Sequence, residues 1–291
     1  LFSREKLFDD SSWLNFGKLR MSYGLAGSDL IGDYQYLNTF GISRYKYDGI
    51  SGLEPIRLFN PDFSWETNKK LEAALELEFI KGRLASSVSW YRNRSSNQLV
   101  GIPLPGTTGF NSVQANLEAT VENSGWEFVL RSSNIKKQDF QWQSSFNISI
   151  PKNKLIAFPN LEASTYANRY EVGLPTSIVK LYKYIGINKE SGLYEVEDVN
   201  NDGVINVEDR QSKVNLGTTL FGGLNNSFRY RNWNIDFTWM FVKQRVYSPD
   251  YYGNSLGSFY NQPNRLNDYF SQENKDALYQ VPTTGANSMA M

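Results

Sequence analysis

The loop Asp198-Val199-Asn200-Asn201-Asp202-Gly203-Val204-Ile205-Asn206-Val207-Glu208-Asp209 holds the residues whose types and spacing best suit chemistry. It reads D-x-N-x-D-G-x-I-x-x-x-D. Calcium takes about six to eight hard oxygens, and a loop of EF-hand type draws them from positions 1, 3, 5, 7 and 12, with Gly at 6 for the sharp turn. On that template Asp198, Asn200 and Asp202 are side-chain ligands, Val204 offers its carbonyl, and Asp209 closes the shell. Asn206, at position nine, would act through water. The competing reading is a solvated Asn/Asp/Gly turn with no metal, since these residues favour turns in any case. We expect Ca²⁺, because all the main ligand positions fit. No base stands beside the loop in sequence, so the ion would stiffen a surface loop rather than catalyse.

Asp at position twelve departs from the EF-hand pattern and resembles dockerin loops. The flanking segments lack a clear helical period and no second copy exists, which argues against a paired EF-hand or a complete dockerin. Elsewhere, Glu72, Glu76 and Glu78 share one strand face and have the residue types of a glycosidase pair. A charged wall pairing with neighbouring strands is the plainer reading, and the one we adopt. Gly106-Thr107-Thr108-Gly109 lacks the Lys of a phosphate loop and reads as a bend. Histidine and cysteine are both absent, which excludes Ser–His–Asp and Cys–His catalysis, disulfides and the usual zinc ligands within this chain. Lys+Arg and Asp+Glu both number 30, so no basic surplus points to nucleic acid. The chain is not read as an enzyme.

The elements that must carry these residues alternate with a period of two. Leu71, Ala73, Leu75, Leu77 and Phe79 fall on one face of a strand, and Glu72, Glu76 and Glu78 on the other. The same alternation marks Lys18–Leu25, Leu84–Arg94, Gly125–Leu130, Phe140–Ile150, Leu220–Tyr230 and Trp233–Phe241, with Ser144 and Asn226 breaking their apolar faces. Short links at Ile80–Arg83, Asn134–Asp139 and Arg231-Asn232 alternate with long ones reaching to about Lys69, Thr120 and Leu216. A sandwich has no reason to sort its loops by length. A transmembrane β-barrel has tight periplasmic turns, long outward loops and strands of about 9–11 residues. No apolar run reaches the roughly 18 residues of a helical span. The 18 Phe, 18 Tyr and 7 Trp suit aromatic girdles, and Trp65, Trp90, Trp142 and Trp233 are expected near strand ends. The fold class expected is therefore all-β, part of a large antiparallel transmembrane β-barrel in an outer membrane. An odd strand number and a loop-like tail at Tyr251–Met291 predict that residues 1–291 are a fragment of such a barrel, without its closing C-terminal strands.

Several motifs then resemble one family. Lys18-Leu19-Arg20-Met21-Ser22-Tyr23-Gly24-Leu25-Ala26-Gly27 is similar to the KLRxSYGxxG strand of SusC/RagA-type TonB-linked outer-membrane transporters. Asn60-Pro61-Asp62-Phe63-Ser64-Trp65-Glu66 resembles their NPxLxWE segment, and Val121-Glu122-Asn123-Ser124-Gly125-Trp126-Glu127 their VxNxGxE strand start. Pro105–Phe110, between the last two, and Asp198–Gly203, after them, also resemble the family's pattern in order and approximate spacing. The resemblance covers essentially the whole chain and the later part of the family's barrel. It implies a barrel of about 22 strands, with a plug and an N-terminal extension that are not present here. It also implies contact with TonB through that absent region, a SusD-like lipoprotein lid, and import of oligosaccharides (glycans) or peptides. The runner-up is a secreted soluble β-protein such as a calcium-stabilised carbohydrate-binding module. In a barrel, Leu71, Leu75, Phe79, Trp142, Phe146 and Phe237 face lipid; in a sandwich they meet across a core. Tyr34, Tyr36, Tyr45 and Tyr47, like Tyr251, Tyr252, Tyr260 and Tyr269, either stack on sugars or a lid, or hold the loops together.

Overall fold

Seven of the strands form one sheet in strict chain order, each antiparallel to the next. The structure is a computed structural model that describes residues 13–28, 37–58, 60, 64–248, 256–257 and 261–283. Thirteen strands are present among them: β1 Leu14–Ser28, β2 Phe40–Tyr47, β3 Ile50–Pro55, β4 Glu66–Phe79, β5 Leu84–Pro103, β6 Ser112–Lys136, β7 Phe140–Ala157, β8 Ile178–Leu181, β9 Tyr184–Ile187, β10 Tyr194–Val196, β11 Ser212–Asn215, β12 Leu220–Tyr230 and β13 Trp233–Lys243. The large sheet runs β1-β4-β5-β6-β7-β12-β13. These are the seven strands expected from the alternation. Alternation fixes which side chains share a face, and tight turns leave antiparallel pairing as the only available partner geometry.

The short links are turns at one end of this sheet. Phe79 pairs with Leu84 across Ile80–Arg83, and Tyr230 with Trp233 across Arg231-Asn232. The backbone N–H of Arg231 donates to the Asp139 carbonyl at 2.9 Å, which ties the last two turns together. Ile80, Lys81 and Arg231 all adopt positive φ in these turns, a costly conformation for a β-branched residue such as Ile80.

The long connections differ from expectation. The second is mostly strand: β5 and β6 stay paired from Leu84↔Ser132 to Pro103↔Ser112, so only residues 104–111 are loop. β4 follows β5 as far as Ser96, and β7 follows β6 as far as Thr120. Beyond that level the β5–β6 ribbon continues alone. The change is marked by a register shift between Ser96 and Gln98, where Asn97 takes φ 62° and bonds Ser64 and the Trp65 carbonyl. A bulge of this kind bends a ribbon away from its sheet. The first long connection contains the β2–β3 hairpin. The third contains two small ladders, β9–β10 and β8–β11. Residues 261–283 of the tail contribute one isolated bridge, Tyr269↔Tyr279, and no closing strand.

The chain divides into two compact units. One comprises Leu1–Ser164, Tyr170–Thr176 and Thr218–Lys243, and holds the large sheet. The other comprises Thr165–Arg169, Ser177–Gly217 and Gln244–Met291. Inside the second, the Phe270 ring lies against Gly192, where a Cβ would come within 2.5 Å of it. The Val281 N–H donates to the Gly192 carbonyl, and the Tyr194 N–H to the Gln280 side chain.

Candidate functional site

The Asp198–Asp209 segment belongs to the second unit and connects β10 to β11. It folds around its own backbone N–H groups. Asp198 Oδ2 accepts from Gly203 at 2.8 Å, Asn200 Oδ1 from Asp202 at 3.1 Å, and Asp202 Oδ1 from Val204 at 2.7 Å. Gly203 has φ 80° and Asn201 φ 58°, the left-handed conformations that close the turn. Asn206 caps a short 3₁₀ turn over Val207–Asp209: its side chain accepts from the Glu208 N–H, and Asp209 reaches back to the Asn206 N–H. This reciprocal pair is a capping box, a role that its spacing as position nine and position twelve of a metal loop did not suggest.

Asp209 is fully buried. Oδ2 accepts from the Asn206 N–H at 2.8 Å and Oδ1 from the Val199 N–H at 2.9 Å. These bonds, Asn206 first, hold its carboxyl below the usual carboxylate range because they favour the charged form. Asp198 Oδ1 is buried and has no hydrogen-bond partner. Asn200 turns its amide N–H groups toward Asp202 Oδ2 at 3.0 Å and Glu208 Oε2 at 3.3 Å. The Val204 carbonyl is approached by the Asn206 amide at 3.4 Å. Among the described residues, no three acidic side chains converge as a ready metal shell.

The large sheet presents two unlike faces. Leu19, Leu75, Val88, Phe128, Ile148, Gly222 and Phe241 stand in one row across all its strands. Beside them run Met21, Ala73, Trp90, Trp126 and Ile150. Towards the tight turns lies a chain of rings: Trp142 on Phe228 at 5.4 Å, Phe228 on Phe237 at 5.9 Å and Phe237 on Trp239 at 5.4 Å. Among the described residues no second sheet of the first unit covers this face, since the remaining strands there are those of the β2–β3 hairpin. Leu19 is 61 %, Met21 69 % and Trp239 65 % exposed. Full burial of one such side chain stabilises by about 1.5–3 kcal/mol. Left to water, the stripe would forgo on the order of 5–10 kcal/mol, comparable to the whole stability of an ordinary domain. Leu71, Leu75, Phe79, Trp142, Phe146 and Phe237 therefore do not meet across a sandwich core.

The opposite face is polar. Arg20 donates to Glu76 at 2.9 Å and to Glu72 at 3.1 Å, so two members of the Glu72, Glu76, Glu78 set are held as a charge-paired wall. One row above, Lys70, Asn93, Asn123 and Asn153 stand side by side on β4 to β7, and the Asn153 amide donates to Asn123 at 2.7 Å. Of these asparagines the sequence pointed only to Asn123, as a position of the VxNxGxE segment, and not to its neighbours on the adjoining strands. The signal that finds them is the cross-strand register, which single-strand alternation does not contain.

Other expected positions are also located. Trp65 and Trp233 flank strand starts, whereas Trp90 sits within β5 opposite Trp126. Val121–Glu127 lies inside β6 rather than at its start. Gly106–Thr108 is a 3₁₀ turn closed by Thr108 Oγ1 donating to the Pro105 carbonyl, a bend as expected. Tyr45 and Tyr47 are exposed at 85 % and 89 %, so neither holds its loop together by packing. Tyr34, Tyr36, Tyr251, Tyr252, Tyr260 and Pro61–Phe63 lie outside the described residues.

No protein-family profile matches the chain. It is 30 % identical over 252 residues to TonB-dependent receptor P26 of Formosa agariphila, covering 77 % of this chain and 25 % of that receptor. It is 24 % identical over 259 residues to TonB-dependent receptor SusC of Bacteroides thetaiotaomicron, covering 80 % of this chain and 26 % of the relative. The chain thus spans about a quarter of the length of these relatives. In fold it is similar to a chain of the RagAB peptide importer in its closed-closed state, with a TM-score of 0.78 at 20 % identity over 98 % of this chain and 33 % of that one.

Proposed function

Because the chain is a length of a SusC/RagA-type TonB-dependent receptor, we propose that it forms part of the wall of an outer-membrane importer. The importer carries oligosaccharides or peptides inward, draws its energy through TonB, and is covered by a SusD-like lipoprotein. The observation that carries this reading is the uncovered apolar face of a sheet whose other face is polar. Lipid solvates the first and an aqueous lumen the second, the division a transmembrane barrel requires. The tight turns at one end and the projecting β5–β6 ribbon at the other support a periplasmic and an outward end respectively. β5 has 20 residues and β6 has 25, whereas crossing hydrocarbon takes about 9–11. The surplus of about ten residues in β5 would carry the ribbon ~25 Å beyond the membrane at the usual strand rise and tilt. The test uses the full-length protein in its native outer membrane. Uptake of a fluorescent oligosaccharide or peptide should stop when the proton gradient is collapsed or TonB is deleted. Uptake that persists under both treatments, or a protein that fractionates with soluble proteins, refutes the reading.

The Asp198–Asp209 loop is proposed to take one Ca²⁺ through Asp198, Asn200, Asp202, the Val204 carbonyl and Asp209. The support is the donor set of hard oxygens together with Asp198 Oδ1, a buried carboxylate oxygen without a partner, which costs free energy unless something binds it. Each Asp209 oxygen that accepts an N–H retains a second lone pair. Bound calcium would supply charge neutralisation and stiffness to the loop. Calorimetric titration of the full-length protein with calcium should give one site that Asp202→Ala removes. No heat above that variant's would refute it.

A further inference from the structure

The apolar face of the large sheet ends in cations. From the row of Phe79, Leu84, Ser132 and Ser144 up to that of Ala73, Trp90, Trp126 and Ile150, this face of β4 to β7 bears no charged residue. The next row on the same face is Leu71, Arg92, Ser124 and Lys152, and the one after it Lys69, Arg94, Glu122 and Lys154. Five cations and one carboxylate thus stand together on four adjacent strands. Side-chain contacts follow the register. The Arg92 guanidinium lies over the Trp90 ring, 6.0 Å from its centroid, and Arg94 Nε donates to Glu122 at 2.6 Å. Lys69, Lys152 and Lys154 are exposed and form no ion pair among the described residues. Arg92 and Arg94 lie eight and ten residues along β5 from Leu84 at the tight turn. That is about 20–25 Å above the turn at the usual strand rise and tilt. The apolar band of a barrel is about 25 Å tall, so the cations stand at its outward margin. Tyr23 and Trp126 are exposed beside them, as residues of an aromatic girdle are.

We propose that this cluster docks a phosphate-bearing lipid of the outer leaflet, with its phosphates on the cations and its acyl chains along the apolar stripe beneath. The inference rests on the importer reading, which gives this face to lipid and this end to the outside. Charge selects the occupant. One cation at the margin of the band would simply lift its head into water. Five together repel one another until anions neutralise them, and Glu122 answers only one. Its pairing with Arg94 is exposed on the arginine side, and such a pair holds weakly. Guanidinium groups match phosphate oxygens in pairs, and ammonium groups add point charge. Size argues the same way. Lys69 to Lys154 crosses three strand spacings, about 14 Å, and the two rows lie about 7 Å apart, the footprint of a headgroup rather than of one small anion. An acidic protein would match the cations but not the continuous stripe of Leu71, Ala73, Trp90, Trp126 and Ile150 directly beneath them, which a lipid's own chains cover.

The experiment takes full-length protein, purified in detergent and stripped of lipid. It is titrated with lipopolysaccharide as the probe, before and after enzymatic removal of its phosphates, and then challenged with inorganic phosphate. The intact lipid should bind, the dephosphorylated one about tenfold or more weakly, and inorganic phosphate at equal concentration should not displace it. Lys69→Gln, Arg92→Gln and Lys152→Gln should each weaken binding about fivefold, the loss expected for one charge beside an anionic lipid. Lys70→Gln removes the neighbouring charge on the opposite face and should bind as wild type. Heat-dependent migration on gels checks that each barrel has assembled. In native outer membranes, a photoreactive residue in place of Ser124 should cross-link lipid. Capture of a protein there, equal binding of the dephosphorylated lipid, displacement by free phosphate, or equal losses from Lys69→Gln and Lys70→Gln would each overturn the lipid site. Lipid binding that fails while energised uptake is intact strikes this site alone, whereas uptake that persists without TonB strikes the importer reading.

Discussion

Trp142 donates its indole N–H to the side-chain oxygen of Asn226 at 3.0 Å, on the face of the sheet that is otherwise apolar. The same oxygen accepts from Ser144 at 2.7 Å, Ser144 accepts from the Asn134 amide at 2.8 Å, and Asn134 accepts from Ser132 at 2.9 Å. Asn226 is 7 % exposed. A polar chain can persist against lipid only when each member is satisfied, since no water substitutes there. Asn226→Ala strands the indole N–H and the Ser144 hydroxyl. It should cost about 1–3 kcal/mol, read as a lowered urea midpoint for the full-length protein in detergent. An unchanged midpoint would show that this network holds nothing.

Gly222 pairs with Phe241 on one side and Ile148 on the other. A Cβ there would stand 2.2 Å from the Asn147 carbonyl and 2.7 Å from Phe241 Cζ. The ring fills the place of the missing side chain, and the backbone cannot yield without parting β7 from β12. Gly222→Ala should therefore destabilise by more than the ~1 kcal/mol of an ordinary strand substitution, and much of the protein should remain unassembled on unheated gels. Gly223, whose nearest would-be contact is 3.1 Å from the Trp239 carbonyl, should tolerate Ala better. Equal assembly of the two variants would contradict the packing.

The contrast between Gly222 and Asn97 shows what the sequence could reveal. Alternation alone identified every strand of the large sheet, because one face of each is apolar and a slip of one residue would invert it. It gave no warning that β5 and β6 continue past Ser96 and Thr120. On the importer reading the ribbon there has no lipid on one side and water on the other, so Gln98–Ile102 and Val113–Leu117 need not alternate cleanly. The ligand spacing of Asp198–Asp209 was legible, but the capping box formed by Asn206 and Asp209 uses the same residue types at the same spacing. The polar row was illegible for a different reason: Lys70, Asn93, Asn123 and Asn153 come from four strands, and only the register brings them together.

Orientation can be tested with cysteines, since the chain has none of its own. Asp48 lies at the tip of β2–β3, in a connection leaving one end of the sheet, and Lys137 in a tight turn at the other end. With Asp48→Cys and Lys137→Cys placed separately in the full-length protein, an impermeant thiol reagent on intact cells should label only the first. Labelling of the second alone would reverse the barrel in the membrane.

Asp209 gives the loop a pH dependence with a definite sign. Its carboxyl is held below the ordinary value of 3.8 by backbone N–H bonds, Asn206 first and then Val199. The stabilisation is thus fully present above that value and is lost as pH falls through the lowered one. Hydrogen-exchange protection of the Val199 and Asn206 amides, corrected for intrinsic rates, should hold from neutrality down to the ordinary carboxyl value and collapse only below it. Asp209→Asn, which cannot titrate, should lower protection throughout the range above that collapse and flatten the profile. Collapse of the wild type near neutrality would mean that another group governs the loop.

The β2–β3 hairpin carries the prediction about a partner. A two-stranded hairpin is marginal by itself in water, yet this one exposes Ile42, Tyr45, Tyr47, Ile50 and Leu53 together. Among the described residues no further strand pairs with its edges, and its register shifts between Ile42 and Lys46, so its own packing contributes little. Tyr45 and Tyr47 are suited to interface anchoring, since tyrosine buries a large face while keeping its hydroxyl hydrogen-bonded. On the importer reading the hairpin stands at the outward end, where a SusD-like lipoprotein would close. Affinity capture of the full-length protein from native outer membranes should bring down that lipoprotein, and Tyr45→Ala with Tyr47→Ala should reduce its yield without changing the amount of assembled barrel. Capture that brings down no lipoprotein, together with uptake unaffected by deleting the lipoprotein encoded beside it, would leave a receptor that works without a lid. Lipoprotein recovered equally with both tyrosines removed would instead move the contact away from this hairpin.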